Sequence, residues 1–189
     1  VGITVYRGQR DIVGDNTGTS YRLRETGRGQ GIRTLNMQTG TSHNAAVDFT
    51  DTDNFWNNTN AALDQYAADA HWGGEMTYDF YQSMGRNSID NNGFRLTLYV
   101  HYDQNYVNAF WDGQSMNFGD GSGAYDPLTS LDITGHEISH GLDQYTANLD
   151  YQDESGALNE SFSDIFGTAV EWYADSTVGN WLIGEDIGV

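Results

Sequence analysis

The sequence predicts an α+β chain, a β-rich antiparallel part followed by helices, and three observations carry that prediction. Residues 1 to about 56 alternate and turn without helical period. A single long apolar stripe at steps of three and four follows it. Two further helical segments then close the chain, each with a polar row at four-residue steps.

Taken in order, Val1 to Tyr6 alternates apolar positions, and glycines at 14, 18, 27, 29, 31 and 40 punctuate what comes next. This pattern reads as short antiparallel strands joined by turns. Asn60 is placed to cap a helix running to about Met84. Leu63, Tyr66, Ala67, Ala70, Gly74, Thr77, Tyr78 and Tyr81 form its stripe. Gly73 and Gly74 weaken its middle, which fits close packing there. Arg95 to Tyr102 reads as a strand with Leu96, Leu98 and Val100 on one face. Asn105 to Phe118 reads as a hairpin or edge region, closed by Gly119, Asp120 and Gly121. Pro127, the only proline, is a break before a helix at about 130–145, and a last helix covers about 157–174.

Composition narrows the function classes. A net charge of −19, from 27 acidic and 8 basic residues, would repel phosphate backbones, so nucleic acid is excluded as a partner. No apolar run is long enough to span a membrane, and no leader pattern opens the chain. Cysteine is absent, so neither disulfides nor thiolate metal sites are available. Bound cations are one way to offset such acidity.

The segment His136-Glu137-Ile138-Ser139-His140 is where chemistry enters. Histidines four apart lie on one helical face, about 6 Å apart along the axis. Zinc takes such a pair, and the intervening Glu137 is free to act as a base on water. Asp132, His136 and His140 form one polar row. Glu160, Asp164, Gly167 and Glu171 form another on a helix whose remaining faces are apolar, so that helix is expected to be buried. Laid antiparallel, His140 meets Glu160, His136 meets Asp164 and Asp132 meets Glu171. The first pairing completes a His-His-Glu zinc set with an open fourth position. In the second, Asp164 accepts the free ring N–H of His136. The third brings two carboxylates together and calls for a hard cation such as calcium, with Asn180, Glu185 and the Leu182 carbonyl completing its cage. His43, His71 and His101 each stand alone and are expected to be structural.

These residues resemble the thermolysin-like neutral metalloproteases. The resemblance runs through His136–Gly141, Tyr151–Glu160, Asp164 and Ile183–Asp186, and upstream through Asp69–Gly73, Val100–Tyr102 and Tyr106–Trp111. It implies a zincin-type amino-terminal domain, residues 1–145, ending in the HEISH helix, with 146–189 as the start of a helical carboxy-terminal domain. It implies zinc on His136, His140 and Glu160, Glu137 as general base, and Tyr151 as a phenol that hydrogen-bonds the oxyanion. Asn159 and Asp164 resemble the residues that hold the histidines. Asn108 and Ala109 resemble the strand that pairs with substrate main chain, with Trp111 as pocket wall. Asp132, Glu171 and Glu185 resemble calcium ligands.

The chain departs from the family in three places. The family's helical domain supplies further oxyanion donors and a pocket wall, and the sequence ends at Val189 before them. That domain is therefore an expected partner, and the 189 residues alone are expected to be weakly active or inactive. Leu182 stands where some members carry a carboxylate, which points to one calcium rather than a close pair. Phe55 replaces an amide beside Asp51 and Asp53, which puts a minor calcium loop in doubt. The resemblance implies a secreted, monomeric endopeptidase acting on peptides or proteins, its pro-segment removed before Val1. A zinc- and calcium-binding domain without turnover is the other reading the residues leave open.

Overall fold

A computed structural model describes residues 1–61 and 63–188. Its strands are β1 (Gly2–Thr4), β2 (Gly8–Arg10), β3 (Asp15–Asn16), β4 (Tyr21–Arg22), β5 (Arg24–Glu25), β6 (Ile32–Asn36), β7 (Val47–Asp48), β8 (Thr50–Asp51), β9 (Leu96–Val100), β10 (Ala109–Trp111) and β11 (Met116–Phe118). Its helices are α1 (Gln65–Ser83), α2 (Leu131–Gln144) and α3 (Asp153–Ala174).

The main sheet runs β10-β11-β9-β6-β5, with β7 also on β6. It is mixed rather than antiparallel, because β9 pairs in parallel with both β6 and β11. The reason is topological. Parallel neighbours need a long crossover, and α1 lies in the connection from β6 to β9. Alternation and turn residues mark strands but do not give their direction. The early strands β1 and β2 form a separate hairpin, and β3, β4 and β8 a small antiparallel sheet.

Helix α1 starts at Gln65, four residues later than the sequence predicts. Leu63 sits ahead of it at φ 59, and Asp64 is the N-cap. The rest of the predicted stripe is buried, from Tyr66 through Tyr81. The two glycines allow close approach on two sides. A Cβ on Gly73 would stand 2.8 Å from Thr134 of α2, and one on Gly74 3.2 Å from Ile32 and 3.3 Å from Leu98 of the sheet. Helix α1 therefore lies between the sheet and α2 and joins both to one core. Strand β9 is buried along its whole length, not on one face only.

Helix α3 begins at Asp153, four residues before the predicted start, and is not enclosed as predicted. Phe162 is 45% and Ile165 52% exposed, and Leu158, Trp172 and Tyr173 are exposed as well. Helix α3 packs on α2 and also reaches α1, with Phe166 against Tyr81 and Tyr173 against Phe80, and Trp172 lies against Trp181; Leu158, Phe162 and Ile165 stay exposed.

Candidate active site

The site is built where α2 and α3 nearly touch. Gly135 and Gly167 face each other, and a Cβ on Gly167 would meet the Asp132 carbonyl oxygen at 2.5 Å and the His136 nitrogen at 3.1 Å. At this separation short side chains on the two helices can meet.

His136 and His140 each have one ring nitrogen held from α3. His136 Nδ1 lies 2.8 Å from Asp164 Oδ1, and His140 Nδ1 lies 2.6 Å from Asn159 Oδ1. Both partners are oxygen acceptors, so both Nδ1 atoms carry the hydrogen and both Nε2 atoms keep a lone pair. Those Nε2 atoms stand 3.0 Å apart. Glu160 brings its two carboxylate oxygens to 3.4 Å from His136 Nε2 and 3.6 Å from His140 Nε2. Three lone-pair donors thus converge with no hydrogen between them. Burial and the neighbouring His140 hold the His136 pKa below its ordinary value, opposing the alternative of filling the gap with a proton. A cation resolves the repulsion. Ligands about 2.0–2.2 Å from a tetrahedral zinc lie roughly 3.3–3.6 Å from one another. Both Glu160 distances fall in that range and the 3.0 Å between the imidazoles is slightly short of it, so the donor set fits zinc in chemistry and nearly in size.

Glu137 lies between the histidines in sequence but beside them in space. It is buried, and one of its carboxylate oxygens has no hydrogen-bond partner among the described residues. Burial, reinforced by the charge of Glu160 and opposed by the backbone N–H of Trp111, pushes its pKa up to about 8. A divalent cation nearby would pull it back down.

The residues open onto a cleft of about 530 Å³ whose other wall is Asn108 to Trp111. Strand β10 is the sheet edge. Asn108 accepts from Gly119 and Asp112 donates to Ser115, so in the alternating ladder Ala109 and Trp111 turn their main-chain groups away from β11, toward the cleft. The Trp111 indole donates to Gln144 at 2.8 Å. Tyr151 lines the same cleft, and its hydroxyl donates to Glu160. That bond, then burial, raises its pKa to about 12.

The second cluster differs from the expected cage. Glu171, Glu185 and Asp186 bring carboxylate oxygens within 4.8 Å of one another. Asp132 accepts from Ser130 Oγ and the Gly184 N–H. Burial raises the pKa values of Glu171 and Asp186, and Asp132 is near enough for its charge to raise both further. Asn180 touches the cluster twice, its amide nitrogen on Glu185 and its N–H 3.1 Å from Glu171. The N–H of Leu182 donates to Asn180 Oδ1. Arg7 enters the cluster from the β1–β2 turn and pairs with Glu171 and, at 2.7 Å, with Asp186. The group fits one calcium only by sharing two carboxylates with that guanidinium. Asp51 and Asp53 accept main-chain N–H bonds from their own loop. His43, His71 and His101 are held by Asn117, by Thr34 with the Val13 carbonyl, and by Asp120.

A family model described as the catalytic domain of thermolysin metallopeptidases matches residues 1–144, and one for their alpha-helical domain matches 147–189. The chain belongs to the thermolysin metallopeptidase family. It is 43% identical, over its full length, to the transglutaminase-activating metalloprotease of Streptomyces mobaraensis, of which it covers 25%. With bacillolysin of Bacillus cereus the identity is 45% over 90% of this chain and 30% of that protein. The solved precursor of protealysin, a metalloproteinase from Serratia proteamaculans, aligns with a TM-score of 0.72 and 31% identity, over 95% of this chain and 53% of that one. The chain thus spans 25% to 30% of the length of these curated thermolysin-family relatives.

Sequence reasoning missed Arg7, Asp143 and Ser163. Asp143 was within reach of it. Asp143 lies one turn past His140 on the same side of its helix, toward the partner helix, although the antiparallel register alone does not single out Asn159. Arg7 had no such signal, since 164 residues separate it from Glu171.

Proposed function

We propose that the chain is the zinc-carrying part of a secreted, monomeric endopeptidase that hydrolyses peptide bonds in peptides or proteins. One observation carries the reading: two imidazole lone pairs and a carboxylate converge beside a buried Glu137, in a cleft bordered by an open strand edge. His136, His140 and Glu160 would hold the zinc. When bound, zinc would polarise the substrate carbonyl and bring the pKa of a water toward about 7. Glu137 takes the proton of the attacking water and passes it to the leaving amine. Ala109 and Trp111 pair with substrate main chain as an added strand would, and Asn108 flanks them. Tyr151, turning from Glu160, donates its O–H to the oxygen on which charge develops. Asn159 and Asp164 keep the two imidazoles in the tautomer that faces the ion.

Residues 1–145 form one unit of the enzyme and 146–189 the start of its helical domain, whose remainder is the expected partner. The exposed apolar side of α3 supports that division, as does the greater length of the relatives. Glu171, Glu185, Asp132, Asn180 and the Leu182 carbonyl are the proposed ligands of at least one calcium, and the convergence of Glu171 and Glu185 with Asp186 supports that reading. The protein is proposed to be exported and freed of a pro-segment. The 189 residues alone are expected to cleave weakly or not at all, since losing one oxyanion donor costs roughly a hundred- to a thousand-fold.

The test pairs metal analysis with hydrolysis of a fluorogenic peptide by the full-length protein. One zinc per chain is expected. Glu137→Gln should keep it and lose roughly 10²- to 10⁴-fold in rate. A chain that takes up no zinc, or a Glu137→Gln enzyme that cleaves at the original rate, would overturn the reading.

A further inference from the structure

We infer that Asp143 is a positioning residue for His140, acting through Asn159; the inference rests on His140 being a metal ligand. Asp143 lies one turn beyond His140 on α2 and is 7% exposed, and Asn159 is 6% exposed. Asp143 Oδ2 accepts the side-chain N–H of Asn159 at 2.9 Å and the main-chain N–H of Leu149 at 3.0 Å.

A carboxylate oxygen only accepts, so Asn159 turns its NH₂ toward Asp143. The amide is planar, and its oxygen then faces the other way, to His140 Nδ1 at 2.6 Å. An amide oxygen also only accepts. The hydrogen of His140 is therefore kept on Nδ1, and Nε2 keeps its lone pair for the ion. The orientation set at Asp143 passes through one planar amide to the tautomer of the ring. His136 receives the same instruction directly, from the Asp164 carboxylate.

Without Asp143, the remaining side-chain partner of Asn159 is His140 itself, and nothing then distinguishes the two ends of the amide. A turned amide would donate to Nδ1 and drive the hydrogen to Nε2, where it blocks the metal. The Ser163 hydroxyl, 3.1 Å from the same Nδ1, can donate or accept, so it follows the tautomer rather than setting it. The bond to Leu149 gives Asp143 a second effect. It ties down the loop between α2 and α3, the segment that carries Tyr151.

Ring-nitrogen NMR on the full-length, metal-free protein above about pH 8, where imidazoles are neutral, reads the tautomer directly. His140 should be Nδ1–H in the parent and a mixture of both tautomers in Asp143→Leu. Zinc affinity, by competition with a coloured chelator, should fall about tenfold in Asp143→Leu. Asp143→Asn can present an oxygen to both donors and should stay within about threefold of the parent. Adding Asp143→Leu to Asn159→Leu should cost no further zinc affinity, because the effect on the ring runs through the amide, while the Leu149 bond bears on the loop and on no metal ligand. Should Asp143→Leu not fold, Asp143→Ser, whose hydroxyl can also donate, carries the same expectation of mixed tautomers. An unchanged Nδ1–H signal, equal losses in the Leu and Asn variants, or additive losses in the double variant would overturn the inference. The tautomer reading needs no zinc, so failure of the parent to take up zinc would instead sink the metal reading.

Discussion

Asp164 and Asn159 hold the two imidazoles with unequal partners, a carboxylate for His136 and an amide for His140. A carboxylate bound to the ring N–H also raises the basicity of the far nitrogen, which an amide does less. Asp164→Ala should therefore weaken zinc binding by roughly 10- to 100-fold while leaving the fold in place, as a chelator titration beside circular dichroism would show. An unchanged affinity would mean that the 2.8 Å contact does not tune the ligand. These side chains were legible in the sequence because a helix converts spacing into distance. His136, His140, Glu160 and Asp164 sit on helical repeats of four, and one antiparallel alignment brings them together. Tyr151 was legible only through the family resemblance. Its bond to Glu160 crosses from a loop to a helix, and no repeat encodes that.

Two elements set the separation of those side chains. Helices α2 and α3 approach at Gly135 and Gly167, where a Cβ on Gly167 would run into the Asp132 carbonyl at 2.5 Å. Backbone cannot yield as a flexible side chain can. Gly167→Ala should therefore push the helices apart, destabilise the protein by about 1–3 kcal/mol, and weaken zinc binding too. Urea unfolding and metal competition measure the two losses. A stability loss with full zinc affinity would show that the site does not depend on this crossing. Element type was mostly readable from period, and element ends less so. Helix α1 begins late because Leu63 adopts positive φ, and α3 begins early because Glu154 to Gly156 turn helically ahead of the apolar stripe, directly after Asp153 at φ 48. The parallel pairing of β6 with β9 was not readable, since it depends on how α1 crosses the sheet.

Across the whole molecule, 27 acids share eight bases, all of them arginine, so where each arginine goes decides which buried acids are paired. Glu75 has Arg28 at 3.2 Å, yet burial still pushes its pKa up to about 7, and burial does the same to Asp69. Both folded values exceed those of an unfolded carboxylate. The stability they contribute is full below about pH 4 and is lost as pH rises through about 7. His71 works in the other direction. Burial lowers it to about 4, so its contribution is full above about pH 6.5 and is lost as pH falls through about 4. Between about pH 6.5 and about pH 8 the histidine is silent, so metal-free protein should lose urea resistance there, Asp69 and Glu137 contributing with Glu75, and Glu75→Gln should make the decline shallower. An equal slope in the variant would rule Glu75 out as a source. Arg7 answers the same shortage at the other end of the fold. Its side chain is 9% exposed, and it joins the β1–β2 turn to Glu171, which is fully buried, and to Asp186. Removing one partner of a buried pair leaves an uncompensated charge, so Arg7→Leu should cost about 3–5 kcal/mol in calcium-free buffer. The vacated carboxylates of Glu171 and Asp186, with Glu185 beside them, are hard oxygen donors of the kind calcium prefers. Added calcium should then raise the melting temperature of Arg7→Leu more than that of the parent, in which the guanidinium competes for the same oxygens. Equal gains would mean that Arg7 and calcium do not share the site.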